Sequence, residues 1–249
     1  MKILTIVGAR PQFIKTGSIS RLINQSYKNT IEEVVVHTGQ HYDNKMSDIF
    51  FKELEIPIPK YNLKISDMTH GKMTGRMIES IEKILLSEKP NWVLVYGDTN
   101  STLAASIAAA KLNVPIAHVE AGLRSFNQEM PEEINRIVTD RVSSLLFCPT
   151  ETAVNNLRNE GVKNGINLVG DVMFDIAIFY KERAFEKSSI LDTLNLKKQK
   201  FVLATCHRAE NTENLQKLEQ ILSILETLTL QFKVVLPLHP RTLKIIKKK

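Results

Sequence analysis

Short apolar strands alternate with amphipathic helices along the whole of this 249-residue chain. Strand signals fall at about 2–7, 33–38, 92–96, 115–119, 145–148, 166–169, 200–205 and 232–236. They are rich in Val, Ile and Leu and show no polar face, as expected of parallel strands covered by helices on both sides. Between them, apolar residues recur at helical spacing: Ile78, Ile81, Ile84 and Leu85, then Leu103, Ile107 and Leu112, then Leu215, Leu218, Ile221, Leu222 and Leu225. Strict alternation of the two periods specifies βαβ units, hence an α/β doubly wound parallel sheet.

In such a sheet, ligands bind outside the carboxyl ends of the strands. Acids collect at those ends here. Trp92-Val93-Leu94-Val95-Tyr96 runs into Gly97-Asp98-Thr99-Asn100-Ser101, and Pro115-Ile116-Ala117-His118-Val119 runs into Glu120-Ala121-Gly122-Leu123-Arg124. A loop then leads to Pro131-Glu132-Glu133-Ile134-Asn135-Arg136, which opens a helix. Carboxylates gathered on one rim point to proton chemistry on a small molecule.

Composition narrows the partners. The net charge of +6 lies in the last stretch: from Lys233 onward there are six basic residues and no acid, so the remainder holds 33 − 6 = 27 basic against 27 acidic residues. The basicity is a tail, not a nucleic-acid groove. No apolar run is long enough to span a bilayer. The chain starts directly with a strand and shows no secretory leader, so it reads as cytoplasmic. Cys148 and Cys206 are far apart and sit in or beside apolar strands, which predicts buried free thiols.

A boundary is expected after Gly170. Residues 1–170 read as a complete Rossmann-like domain, Asp171–Lys187 as a helix leaving it, and 171–249 as that connection plus part of a second domain. Two strands cannot bury both faces of a sheet. The second domain therefore reads as incomplete, with an uncovered face and edge that favour association.

Each candidate site residue also has a plain structural reading. Arg10 and Lys15 follow the first strand beside Pro11, where a helix amino terminus can take an anion; they could equally be surface cations. Asp98 stands where a helix cap is common. Glu120 is a poor cap, and Gly122 beside it permits close approach. Glu132 and Glu133 suit a first helical turn, and Arg136 lies at i+4 from Glu132. His207 and Arg208, at a strand end before a helix, can meet a phosphate. The loop Gly39-Gln40-His41-Tyr42-Asp43 is polar, and His41 in it reads as an ordinary loop residue.

Taken in order, Gly8-Ala9-Arg10-Pro11-Gln12, His37-Thr38-Gly39-Gln40-His41, Gly97-Asp98-Thr99-Asn100-Ser101, His118-Val119-Glu120-Ala121-Gly122-Leu123-Arg124, Pro131-Glu132-Glu133-Ile134-Asn135-Arg136, Pro149-Thr150-Glu151 and His207-Arg208-Ala209-Glu210-Asn211 closely resemble the non-hydrolysing UDP-N-acetylglucosamine 2-epimerases. The match runs from Lys2 to about Arg241. The resemblance implies a GT-B-like fold, with the nucleotide sugar between two Rossmann-like domains and the second domain incomplete here. It implies inversion at C2 through elimination and re-addition of UDP, without nicotinamide cofactor or metal. It assigns Asp98, Glu120, Glu132 and His207 to catalysis, and Arg10, Lys15, Gln40, Arg136, Arg208 and His239 to the UDP-sugar. A homodimer is the expected assembly. The family's Asp-Ser-Gly-Gly, Gln-Glu-Glu and Thr-Glu-Arg-Pro-Glu blocks have no counterpart in this sequence. The alternatives are a UDP-2,3-diacetamido-glucuronic acid 2-epimerase, an inert nucleotide-sugar-binding remnant and a GT-B glycosyltransferase.

Overall fold

The computed structural model describes residues 1–40, 56–197, 200–206, 209–212, 214–238 and 240–246. It divides into two compact units, Met1–Tyr180 and Lys181–Lys249.

The first unit carries a parallel sheet of seven strands. In chain order these are β1 (Lys2–Val7), β2 (Glu32–His37), β3 (Tyr61–Asn62), β4 (Trp92–Tyr96), β5 (Ile116–Val119), β6 (Leu145–Cys148) and β7 (Ile166–Leu168). The spatial order is β3-β2-β1-β4-β5-β6-β7. The chain winds outward one way from β1 and then returns to wind the other way from β4. Their carboxyl ends therefore flank the switch point, where doubly wound sheets open a crevice.

The helices are α1 (Arg10–Leu22), which continues into a π-helical stretch Ile23–Tyr27, α2 (His70–Glu88), α3 (Asn100–Lys111), α4 (Pro131–Val142), α5 (Glu151–Asn159) and α6 (Val172–Lys187). The sheet's two faces follow from the period-two alternation of side chains. Leu4, Ile6, Val34, Val36, Val93 and Val95 pack in one core with Met77 and Ile81 of α2 and the alanines of α3. Their neighbours in sequence, Val7, Val35, Leu94 and Tyr96, pack in the other with Phe13 of α1. The expected strands appear within a residue or so at most ends. The exception is β3, whose two residues pair with Val36 and His37 and carry no periodic signal of their own.

At the amino end of the sheet, away from the switch-point rim, Glu88 is buried at the close of α2. It accepts hydrogen bonds from Lys60 Nζ at 2.6 Å, Tyr61 Oη at 2.5 Å and Lys2 Nζ at 3.0 Å. These bonds hold its carboxyl down to about 2, against a small opposing effect of burial. A depressed carboxyl stabilises the fold fully above its ordinary value of 4.5, and the contribution fades as pH falls toward 2. Glu88→Gln should therefore lower the melting temperature at pH 7 and flatten the acid limb of a stability-versus-pH curve. Parallel acid limbs for the two proteins would refute this. Glu33 acts in the opposite sense, since burial raises its carboxyl and ionising it costs stability as pH rises.

In the second unit, α7 (Ile190–Thr193) precedes β8 (Phe201–Leu203), which pairs in parallel with β9 (Lys233–Val235). The crossover between them holds the short α8 (Ala209–Thr212) and the long α9 (Leu215–Thr229), and α10 (Pro240–Ile246) follows. Asn214 caps α9 by accepting from the Lys217 N–H at 3.1 Å. Leu203 and Ile224 are each 62% exposed. Among the described residues, no helix is long and apolar enough to cross a membrane. Cys148 and Cys206 are buried free thiols, as expected, and burial pushes Cys148 up to about 11.

Candidate active site

The rim is assembled around the switch point by Gln12, in the first turn of α1. Its buried carboxamide oxygen accepts from the Gly8 and Ala9 N–H groups at 2.8 and 3.1 Å. Its nitrogen donates to the Tyr96 carbonyl and to Thr102 Oγ1, both at 2.9 Å. One side chain thus ties the loop after β1 to the loop after β4. Arg10 sits exposed at the first position of α1.

Lys15, one turn further along α1, is buried and forms an ion pair with Glu120. The pair crosses from β1's helix to the end of β5, over the loop that leaves β4. Gly97 in that loop has φ +61, and a Cβ there would lie 3.0 Å from Glu120 Oε2 and 3.2 Å from Lys15 Nζ. A side chain there would crowd the pair. Glu120 itself has φ +74, a left-handed conformation that costs a non-glycine residue about 1–3 kcal/mol. The cost is sustained because the N–H groups of Glu120 and Ala121 both donate to the Phe147 carbonyl of β6, at 3.0 and 3.1 Å. Gly122 is approached by protein: a Cβ there would meet the Ala153 carbonyl at 2.3 Å.

Asp98 does not cap α3. Thr99 does, accepting from the Thr102 N–H at 3.3 Å. The Asp98 carboxylate instead accepts from Arg136 through Nη2 at 2.7 Å and Nε at 3.1 Å. Both bonds go to Oδ2, so Oδ1 is uncommitted among the described residues. Asn135 donates to the Asp98 carbonyl at 2.8 Å and fixes the backbone as well.

The ordinary i+4 pair between Glu132 and Arg136 is not formed. Arg136 is taken by Asp98 and by Glu133, at 2.6 Å and i+3 spacing. Glu133 is 1% exposed and also accepts from Ser125 N–H, Ser125 Oγ and Phe126 N–H at 2.9–3.0 Å. Burial alone would raise its carboxyl; these donors outweigh it and bring it to about 2. Glu132 is left exposed in the first turn of α4, on the face it shares with Arg136. The structure therefore links Asp98 to α4 through Arg136 and Glu120 to α1 through Lys15. Glu132 stands beside the first link and belongs to neither.

Gln40 is committed by its carbonyl oxygen to Ser101, accepting from N–H at 3.1 Å and Oγ at 2.8 Å. It holds the start of α3. His207, Arg208, His239 and the loop residue His41 lie outside the described residues. Among the described residues, no group of three or more His, Cys, Asp or Glu is placed to hold a metal ion. Gln12, Asn135 and Glu133 fall within the motifs above, but neither spacing nor periodicity points to these roles; the nearest signal is Gln12, just inside a helix that carries Pro11 in its first turn.

The UDP-N-acetylglucosamine 2-epimerase family matches residues 24–249. The chain belongs to this family. Its relatives include a UDP-N-acetylglucosamine 2-epimerase homolog of Methanococcus maripaludis, 55% identical over the whole chain and 68% of the relative's length. The UDP-2,3-diacetamido-2,3-dideoxy-D-glucuronate 2-epimerase of Pseudomonas aeruginosa is 54% identical over the whole chain and 69% of its own length. The crystal structure of the Methanocaldococcus jannaschii UDP-GlcNAc 2-epimerase, in complex with UDP-GlcNAc and UDP, superposes with a TM-score of 0.87 at 45% identity; it covers all of this chain and 68% of that one. A lipopolysaccharide outer core galactosyltransferase, 12% identical with a TM-score of 0.52, shares the fold alone. The α/β, GT-B-like expectation holds.

Proposed function

We propose that this chain inverts C2 of a UDP-2-acetamido sugar, interconverting UDP-GlcNAc and UDP-ManNAc by elimination and re-addition of UDP. The observation that carries the proposal is the placement of Asp98 and Glu120 at the ends of adjacent strands beside the switch point, each held by a cation, in a chain of this family. In the forward step a carboxylate takes the C2 proton, the C1–O bond to UDP breaks and a C1=C2 glycal forms. In the return step a proton is delivered to the opposite face of C2 and UDP adds back at C1. The sequence is redox-neutral, so it consumes no hydride acceptor. Removing a weakly acidic proton and returning it on the other face needs two positioned groups, and Asp98, Glu120 and Glu132 supply the carboxylates. Arg10 is suited to the diphosphate. By family resemblance, His207 serves the departing UDP, Arg208 and His239 join the binding set, and the enzyme is a cytoplasmic homodimer.

One observation favours a second substrate. Identity to the Pseudomonas aeruginosa diacetamido-glucuronate enzyme is 54%, against 46% to the Methanocaldococcus jannaschii UDP-GlcNAc enzyme. Incubating the purified chain with each UDP-sugar and resolving the products by NMR separates the readings. Formation of UDP-ManNAc supports the first. Turnover of the diacetamido uronate alone shifts the assignment to the second, and absence of any 2-epimer overturns both.

A further inference from the structure

We propose that His118 and Asp140 form a buried clamp that fixes the loops bearing Asp98 and Glu120 relative to each other, which makes His118 a positioning residue for the epimerisation; this rests on the epimerase reading of the same site. His118 lies in β5 and is fully buried, yet it faces oxygen at both ring nitrogens. Nε2 is 2.8 Å from the Gly97 carbonyl and Nδ1 is 2.7 Å from Asp140 Oδ1. A carbonyl oxygen can only accept, so Nε2 carries hydrogen.

Asp140 comes from α4 and is itself buried. Its second oxygen accepts from the Gly122 N–H at 3.1 Å and from Arg124 Nη1 at 2.8 Å. Burial works to raise this carboxyl, but the bonds from His118 and Arg124 outweigh it and hold it below its ordinary range. Arg124 is fixed in turn by a two-pronged bond to Glu160, with Nε and Nη2 each at 2.7 Å from it.

The two anchored peptides are the ones next to the acids. Gly97 immediately precedes Asp98, and Gly122 follows Glu120 by two residues. Through one ring and one carboxylate, the loop after β4 and the loop after β5 are set in register, and the spacing of the proton-handling groups with them. A buried polar network can also serve stability alone, so the test must separate position from folding.

Two substitutions do so. In His118→Gln the amide nitrogen stands near the place of Nε2 and can still donate to Gly97. In His118→Asn it stands near Nδ1 and reaches Asp140 only. The Asp98 amide shares a peptide group with the Gly97 carbonyl, so its NMR shift reports that bond without any need for turnover. In the full chain, His118→Asn should move the Asp98 amide resonance while His118→Gln leaves it close to that of the unmodified protein. His118→Asn should lower kcat by about 10–10²-fold, as misplaced groups do, with KM changed by no more than about threefold; His118→Gln, which keeps the Gly97 bond but gives up the link to Asp140, should lower kcat in the same way while moving the Gly122 amide instead. An unmoved Asp98 amide in His118→Asn, full kcat in either variant, or losses that follow melting temperature or KM, would overturn the clamp. If His118→Asn does not fold, Asp140→Asn serves in its place: it should shift the Gly122 amide and lower kcat alike, and an unmoved Gly122 amide overturns the clamp. If the unmodified chain turns over no UDP-sugar, the epimerase reading fails, while the Asp98 amide still decides the clamp.

Discussion

Glu120→Gln and Asp98→Asn should each lower turnover by about 10²–10⁴-fold, the usual worth of a positioned acid or base. Both substitutions keep the size of the side chain and part of its hydrogen bonding. Glu120→Gln removes the charge that buried Lys15 faces, so it should lower the melting temperature as well, although the backbone stays anchored by the Phe147 carbonyl. Asp98→Asn leaves Arg136 its bond to Glu133. Glu132→Gln should cause a similar loss of turnover with no loss of stability, because that side chain is exposed and stands outside both ion pairs. Steady-state kinetics and thermal melts on the same preparations check all three. Retention of more than about a tenth of the turnover in any of them would remove that residue from the proton transfers.

Its neighbour behaves in the opposite way. Glu133→Ala should destabilise the first unit by about 3–5 kcal/mol, the cost of leaving a buried ion partner and its donors unmatched. Arg136 would lose one of two carboxylates, and the Ser125 and Phe126 N–H groups would lose their acceptor. At about 2–4 °C per kcal/mol for a unit of this size, the melting temperature should fall by roughly 10 °C. The sign with pH follows from the depressed carboxyl. Its contribution is whole above the ordinary 4.5 and is lost as pH falls through about 2, so the gap between the two proteins should close in acid. A melting temperature at pH 7 within about 1 °C of the unmodified protein would show that the buried bonds to Glu133 contribute nothing net. The adjacent pair Glu132 and Glu133 thus separates chemistry from stability within two positions of one helix.

That separation also marks where the sequence stops being readable. β1, β4, β5 and β6 are legible because strands buried on both faces leave an uninterrupted apolar run, and the switch point follows from the βαβ order. β3 is two residues long and exists through its register with β2. Asp98 stands where a helix cap is common, but Thr99 beside it takes that role and Asp98 accepts from Arg136 instead. The Glu132–Arg136 spacing was legible as a pair, but Arg136 had two better partners, one of them 38 residues away. The Lys15–Glu120 pair joins positions 105 apart in sequence, and His118 reads as one more residue of an apolar strand. Local pattern places the acids on the rim; which cation holds each is fixed only when separate βα units meet.

Proton removal and return at C2 by this rim leaves an isotopic mark: the chain is incubated with UDP-GlcNAc, and separately with the 2,3-diacetamido uronate, in D2O, and C2 is followed by proton NMR. The 2-epimer should carry deuterium at C2 from its first appearance, with free UDP and glycal detectable on long incubation. An epimer that keeps its original C2 hydrogen would rule out deprotonation at C2.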